Sequence, residues 1–223
     1  MPVTVNQQVR KDVSLFSALC LIYVFVMTMI SLIYQTIVTL FQAIRYSGNL
    51  EKIQKVTENF MERDGSYYLI AVCAGVFIFW LYRDGKLFKS DLRMQKRAMT
   101  SKTFGIVLSF LLLGQLGFVL FNQIFETIFN LFGFTMLKAV ESASAGSDSV
   151  SMFLYASFFG PVSEELIFRG AGLRTFEKYG KIFAILMSSL LFGLFHGNLP
   201  QFFFAAFVGI IFSYVTLEYS ILW

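Results

Sequence analysis

Residues 13–44 read VSLFSALCLIYVFVMTMISLIYQTIVTLFQAI, a run without a single charged side chain. A helix crosses the hydrocarbon core of a bilayer with about 20 apolar residues, so this run can span with turns to spare. It is too long for the apolar core of a signal peptide, roughly 7 to 15 residues, and no small-residue cleavage site follows it, so it reads as a retained anchor. Four more uncharged blocks follow, at 65–82, 103–125, 149–163 and 182–217. The last is long enough for two spans and is interrupted by Gly197-Asn198-Leu199-Pro200, a turn sequence. The fourth reaches spanning length only if Glu164, Glu165 and Arg169 are taken inside the helix. The expected architecture is all-α: a polytopic transmembrane helical bundle of about six spans.

Composition leads the same way. Of 223 residues, 57% are hydrophobic and 14% charged, against about 25% charged in soluble globular domains, which excludes an ordinary water-soluble fold. The net charge of +4 does not point to nucleic acid, because the basic residues sort by connection. Arg83, Lys86, Lys89, Arg93, Lys96, Arg97 and Lys102 crowd the second connection, and Arg174, Lys178 and Lys181 occupy the fourth; the third holds only Lys138 and the fifth none. Placing Arg10 and Lys11 in the cytoplasm puts twelve Lys and Arg inside and five outside, with Arg169 left within a span. Both termini are therefore expected in the cytoplasm, in a multi-pass protein of the cell membrane.

The organisation divides at residue 149. Residues 1–149 read as an N-terminal transmembrane region whose basic loop, 83–102, lies on anionic headgroups of the inner leaflet or binds a membrane protein partner. Within it, Ile53, Val56 and Phe60 fall at helical spacing between Arg45 and Gly65, as in an amphipathic helix at the outer interface. The apolar run from Thr103 to Leu137 is interrupted by Glu126 and reads as a span with an interfacial continuation. The stretch ESASAGSDSVS, ending at Ser151, is expected to be a flexible outer loop. Cys20 and Cys73 fall inside spans and read as packing residues, without a disulfide or metal pair. The 28 phenylalanines read as lipid-facing and packing groups.

Residues 150–223 carry the chemistry. An ionisable residue inside a span costs roughly 2.5 to 3.5 kcal/mol on insertion scales and is a functional candidate by default. The cluster reads Gly160-Pro161-Val162-Ser163-Glu164-Glu165-Leu166-Ile167-Phe168-Arg169-Gly170. Glu165 and Arg169, at i and i+4, can pair on one helix face, while Glu164, rotated by about 100°, stays free for another partner. A second polar site surrounds His196, the only histidine. If the glutamate helix runs through Arg174 and Glu177 and ends at Gly180, Glu164 and His196 each lie sixteen residues from the turn. In an antiparallel hairpin they then share one depth, about 24 Å from it. Gly193 and Gly197 flank the histidine at the spacing that admits a close helix neighbour. Such a Glu-Glu-x-x-x-Arg could also serve a structural network or an ion pathway. The matched depth favours a carboxylate and an imidazole that hold and deprotonate a water for attack on a peptide carbonyl. With Glu165 committed to Arg169, a complete zinc site is not supported, and no cofactor is expected.

These motifs, Glu164-Glu165-x-x-x-Arg169 within SEELIFRG and Phe192-x-x-x-His196 within SSLLFGLFHGN, followed by the span containing Gly209, resemble the CAAX protease and bacteriocin-processing family of intramembrane endopeptidases. The resemblance implies that Glu164 is the general base, that His196 helps to position the water, and that Glu165 and Arg169 organise the site. The substrate would be a membrane-associated peptide or protein. A non-proteolytic alternative within the same resemblance is a bacteriocin-immunity factor or a regulator of a membrane partner such as a sensor kinase. The resemblance further implies a following helix with a second His and, four residues on, an Asn that bind the oxyanion, whereas this sequence stops at Ser220-Ile221-Leu222-Trp223. Loss of one such donor can cost about 10² to 10³ in rate, so the expectation is a piece of a longer protein. Sequencing the gene past the codon for Trp223 tests this: a His-x-x-x-Asn helix is the expected finding, and a stop codon there counts against it.

Overall fold

The computed structural model describes residues 4–87, 97–133, 135 and 149–219. These form seven helices and, among the described residues, no strand: α1 (Val5–Arg45), α2 (Leu50–Arg63), α3 (Ser66–Tyr82), α4 (Ser101–Leu131), α5 (150–177), α6 (Lys181–Phe195) and α7 (Leu199–Tyr219). The all-α membrane-type reading holds. Helices α1, α4 and α7 are long and apolar enough to cross a membrane singly, and α2 with α3, bent by 53°, make a fourth candidate. The count of six additionally takes α5 and the 15-residue α6 as spans. Lys89, Arg93, Lys96 and Lys138, most of the serine-rich stretch, and the end from Ser220 lie outside the described residues.

Local sequence explains where the helices begin and turn. Thr4 and Gln7 form a reciprocal capping box at the start of α1, and Asn49, Thr100 and Ser149 each accept a backbone N–H as N-caps of α2, α4 and α5. The expected interfacial helix is α2, with Ile53 buried against the bundle and Phe60 exposed. Glu126 lies within α4, which runs for 31 residues, longer than one crossing needs; its carboxylate accepts the Thr135 hydroxyl at 2.7 Å. Asn198 caps α7 by accepting the Gln201 N–H at 2.9 Å.

Glycines set the tightest contacts. A Cβ on Gly65 would lie 2.5 Å from the Met152 backbone, one on Gly75 2.3 Å from the Tyr23 ring, and one on Gly114 2.2 Å from Phe207. Gly193 meets Phe202 and Ala206 of α7, and Gly209 meets Ser189, so the small-residue seam joins α6 to α7. Gly197 is not part of it: its φ of +69° serves the turn, and nothing lies within 4 Å of its Cβ position. Cys20 is buried as expected, but Cys73 is exposed.

Phe16 is the centre of the core, with ring centroids 5.3 Å from Phe79, 5.5 Å from Phe176 and 6.0 Å from Phe168. Polar ties close both ends of the α5–α6 hairpin. At the turn, buried Asp12 of α1 accepts the Tyr179 hydroxyl at 2.7 Å and pairs with Lys178, whose own hydrogen bond to Asp12 holds its ammonium pKa above the usual range. Lys181 pairs with Glu218 of α7. At the start of α5, the Ser151 hydroxyl donates to Asp64 at 2.8 Å, and Asp64 also accepts the hydroxyls of Tyr34 and Ser66.

Gly65→Ala is expected to destabilise the fold by about 1 to 3 kcal/mol through overpacking against backbone. Gly117→Ala, with open space around it in α4, is expected to be neutral or stabilising by about 0.5 to 1 kcal/mol. Thermal unfolding of the two purified variants in one detergent checks the contrast.

Candidate functional site

Helix α5 is not a regular α-helix. Its turns at Tyr155–Phe159 and Glu165–Gly172 are π-helical, the wider i to i+5 geometry that recurs at functional sites. Pro161 supplies a reason for the first: it lacks an N–H and would crowd the carbonyl four residues before it, and a widened turn relieves both problems. Between the two wide turns lies Gly160–Glu164, so the motif carboxylates stand where the helix changes pitch.

The hairpin has the expected register. Gly180 (φ +116°) follows the turn, and α6 returns along α5. Phe168 and Phe192, each twelve residues from Gly180, pack with ring centroids 5.1 Å apart and planes tilted by 57°, and the Ser188 hydroxyl donates to the Phe168 carbonyl at 2.7 Å. One turn farther from Gly180 on each helix stand Glu164 and His196. The structure records no hydrogen bond between these two side chains. The His196 Nδ1–H donates to the Phe192 carbonyl at 2.9 Å, which fixes the ring and leaves Nε2 as an acceptor.

Arg169 occupies the space between the two helices and α7. It is 1% exposed, its Nη1 lies 3.2 Å from Glu165 Oε1, and its guanidinium carbon sits 4.2 Å from the Phe192 ring centroid and 5.7 Å from that of Phe212 on α7. The contact with Glu165 lacks hydrogen-bond geometry, and none of the three guanidinium nitrogens has a hydrogen-bond acceptor among the described residues. The pairing of Glu165 with Arg169 read from the sequence is therefore present as an ion pair supported by aromatic faces. Glu164 lies within electrostatic range of Arg169, of the Tyr155 phenol beside it on α5 and of the Tyr23 phenol on α1. Neither tyrosine carried a signal in the sequence, because tyrosine in an apolar span reads as an ordinary packing or interface residue. Among the described residues no three His, Cys, Asp or Glu side chains converge as a metal set would require.

An apolar groove of about 530 Å³ runs between α3 and α5, with Val76, Phe77 and Trp80 on one wall and Phe159, Val162 and Ser163 on the other. Ser163, the chain neighbour of Glu164, is part of its lining.

Residues 146–223 match the family described as Rce1-like, type II CAAX prenyl endopeptidase Rce1-like. No curated protein and no solved structure matches the chain. The match covers both motif helices and agrees with the resemblance carried by the motifs.

Removing Glu165 leaves Arg169 buried without its counter-charge. Glu165→Ala is expected to cost about 3 kcal/mol, and the double variant Glu165→Ala/Arg169→Met is expected to recover most of it. Denaturant or thermal unfolding of the four proteins of this cycle gives the coupling.

Proposed function

We propose, from the Rce1-like character of residues 146–223, that the protein is an intramembrane endopeptidase of the cell membrane, with Glu164 as general base and His196 as the residue that orients the water. The observation that carries the reading is the hairpin register, in which Phe168 pairs with Phe192 and thereby sets Glu164 and His196 at matching positions around the buried Arg169.

In this reading a water sits between the Glu164 carboxylate and Nε2 of His196. Glu164 takes one proton as the water oxygen bonds to the peptide carbonyl carbon, and the tetrahedral oxyanion forms. The same proton passes to the amide nitrogen as the C–N bond breaks, which returns Glu164 to its starting form. Arg169, ion-paired with Glu165, holds α5, α6 and α7 in the arrangement this needs, and its positive field favours the developing negative charge. The apolar groove between α3 and α5 suits a substrate that carries a hydrocarbon chain. That agrees with a prenylated peptide ending in Cys and two aliphatic residues before its last position.

The test is cleavage of a fluorescence-quenched prenylated peptide by the full gene product in proteoliposomes. Glu164→Gln is expected to lower kcat about 10² to 10⁴-fold at unchanged thermal stability, and His196→Ala to lower it by a smaller factor. Cleavage by Glu164→Gln at the wild-type rate overturns the assignment.

A further inference from the structure

Tyr23 lies on α1, outside the segment that matches the peptidase family, yet it touches both halves of the site. Its ring stacks on Phe195, the neighbour of His196, with centroids 5.5 Å apart and planes 25° from parallel. Its hydroxyl interacts with the side chain of Ser163, the neighbour of Glu164, and lies within electrostatic range of the Glu164 carboxyl. The Ser163 hydroxyl itself donates to the Gly160 carbonyl at 2.7 Å, which holds its oxygen in place beside the phenol.

The placement is held by several contacts. Tyr23 is 3% exposed, and a buried phenol O–H requires a partner. Gly75 of α3 also approaches the ring, and any Cβ there would overlap it at 2.3 Å. The ring is thus gripped by α3 and α6 while its hydroxyl faces α5. Within electrostatic range of Glu164 are Tyr23 from α1 and Tyr155, Glu165 and Arg169 of its own helix.

We propose that Tyr23 is a positioning residue of the site: wedged between Ser163-Glu164 on α5 and Phe195-His196 on α6, it sets the separation and orientation of the two motif side chains. The N-terminal helices then contribute directly to the chemistry carried by the last third of the chain. The ring keeps α6 at its distance, and the hydroxyl fixes the turn that bears Glu164. The consequence for turnover rests on the endopeptidase reading, whereas the contact itself does not.

Tyr23→Phe separates the two roles, because it keeps the ring and its stacking and removes only the hydroxyl. Two measurements are made on the full gene product in proteoliposomes. The first is the rate at which dicyclohexylcarbodiimide modifies Glu164, read by peptide mass spectrometry. The second is cleavage of the quenched prenylated peptide, resolved into kcat and KM. Tyr23→Phe is expected to change the labelling rate at Glu164 more than threefold and to lower kcat more than threefold, with KM and thermal stability as in wild type. The remote Tyr46→Phe is expected to change neither. Labelling of Glu164 in Tyr23→Phe within threefold of wild type overturns the proposal, as does a kcat within threefold of an active wild type or a loss carried by KM alone. If Glu164→Gln still cleaves while Tyr23→Phe alters labelling, the endopeptidase reading fails and the positioning of Glu164 by Tyr23 survives it.

Discussion

A guanidinium without water around it is the constraint to which this bundle answers. Moving an ion out of water costs several kcal/mol even after the surroundings relax, and Arg169 is almost wholly removed from solvent. Glu165 supplies the nearest counter-charge at 3.2 Å without hydrogen-bond geometry, Glu164 lies within electrostatic range, and ring faces add to both. Phe192 on α6 and Phe212 on α7 provide these, and both must stand within cation–π range. The positions of three helices are thereby coupled to one side chain. The motif histidine, whose Nδ1–H is bonded to the Phe192 carbonyl, is fixed to the residue whose ring faces the Arg169 guanidinium.

The rest of the fold keeps that arrangement from relaxing. The α5–α6 turn is tied to α1 through Asp12, Tyr179 and Lys178, and the start of α6 to the end of α7 through Lys181 and Glu218. At the far end, Asp64 gathers hydroxyls from Tyr34, Ser66 and Ser151, so that α1, the α2–α3 corner and α5 meet at one carboxylate. Between these ends the packing is close because small residues permit it: Gly75 admits Tyr23, and Gly193 and Gly209 admit the neighbours of α7. Helix α4 stands apart from this scheme. None of its residues is buried, and it meets α7 through Gly114 and the ring pairs Phe118–Phe204 and Phe121–Phe203.

Several features of the site were legible in the one-dimensional pattern. The spacing of Glu165 and Arg169 implies their pairing, and the equal distances of Glu164 and His196 from Gly180 imply the hairpin register. Both follow from helix geometry, which is local and repeats with a known rise. The same argument misassigned Gly197, since small-residue spacing does not distinguish a packing glycine from one whose positive φ makes a turn.

The sequence by itself determined the membrane-type all-α architecture, the ends of most helices and the two motifs, because hydrophobic run length and capping chemistry act over neighbouring residues. Only the tertiary structure decided what surrounds the motifs. The aromatic faces on Arg169 and the approach of Tyr23 from α1 depend on contacts between residues far apart in the chain. A tyrosine or phenylalanine within an apolar run has the same local preferences whether it faces lipid, core or a carboxylate, and the packing of neighbouring helices selects among the three.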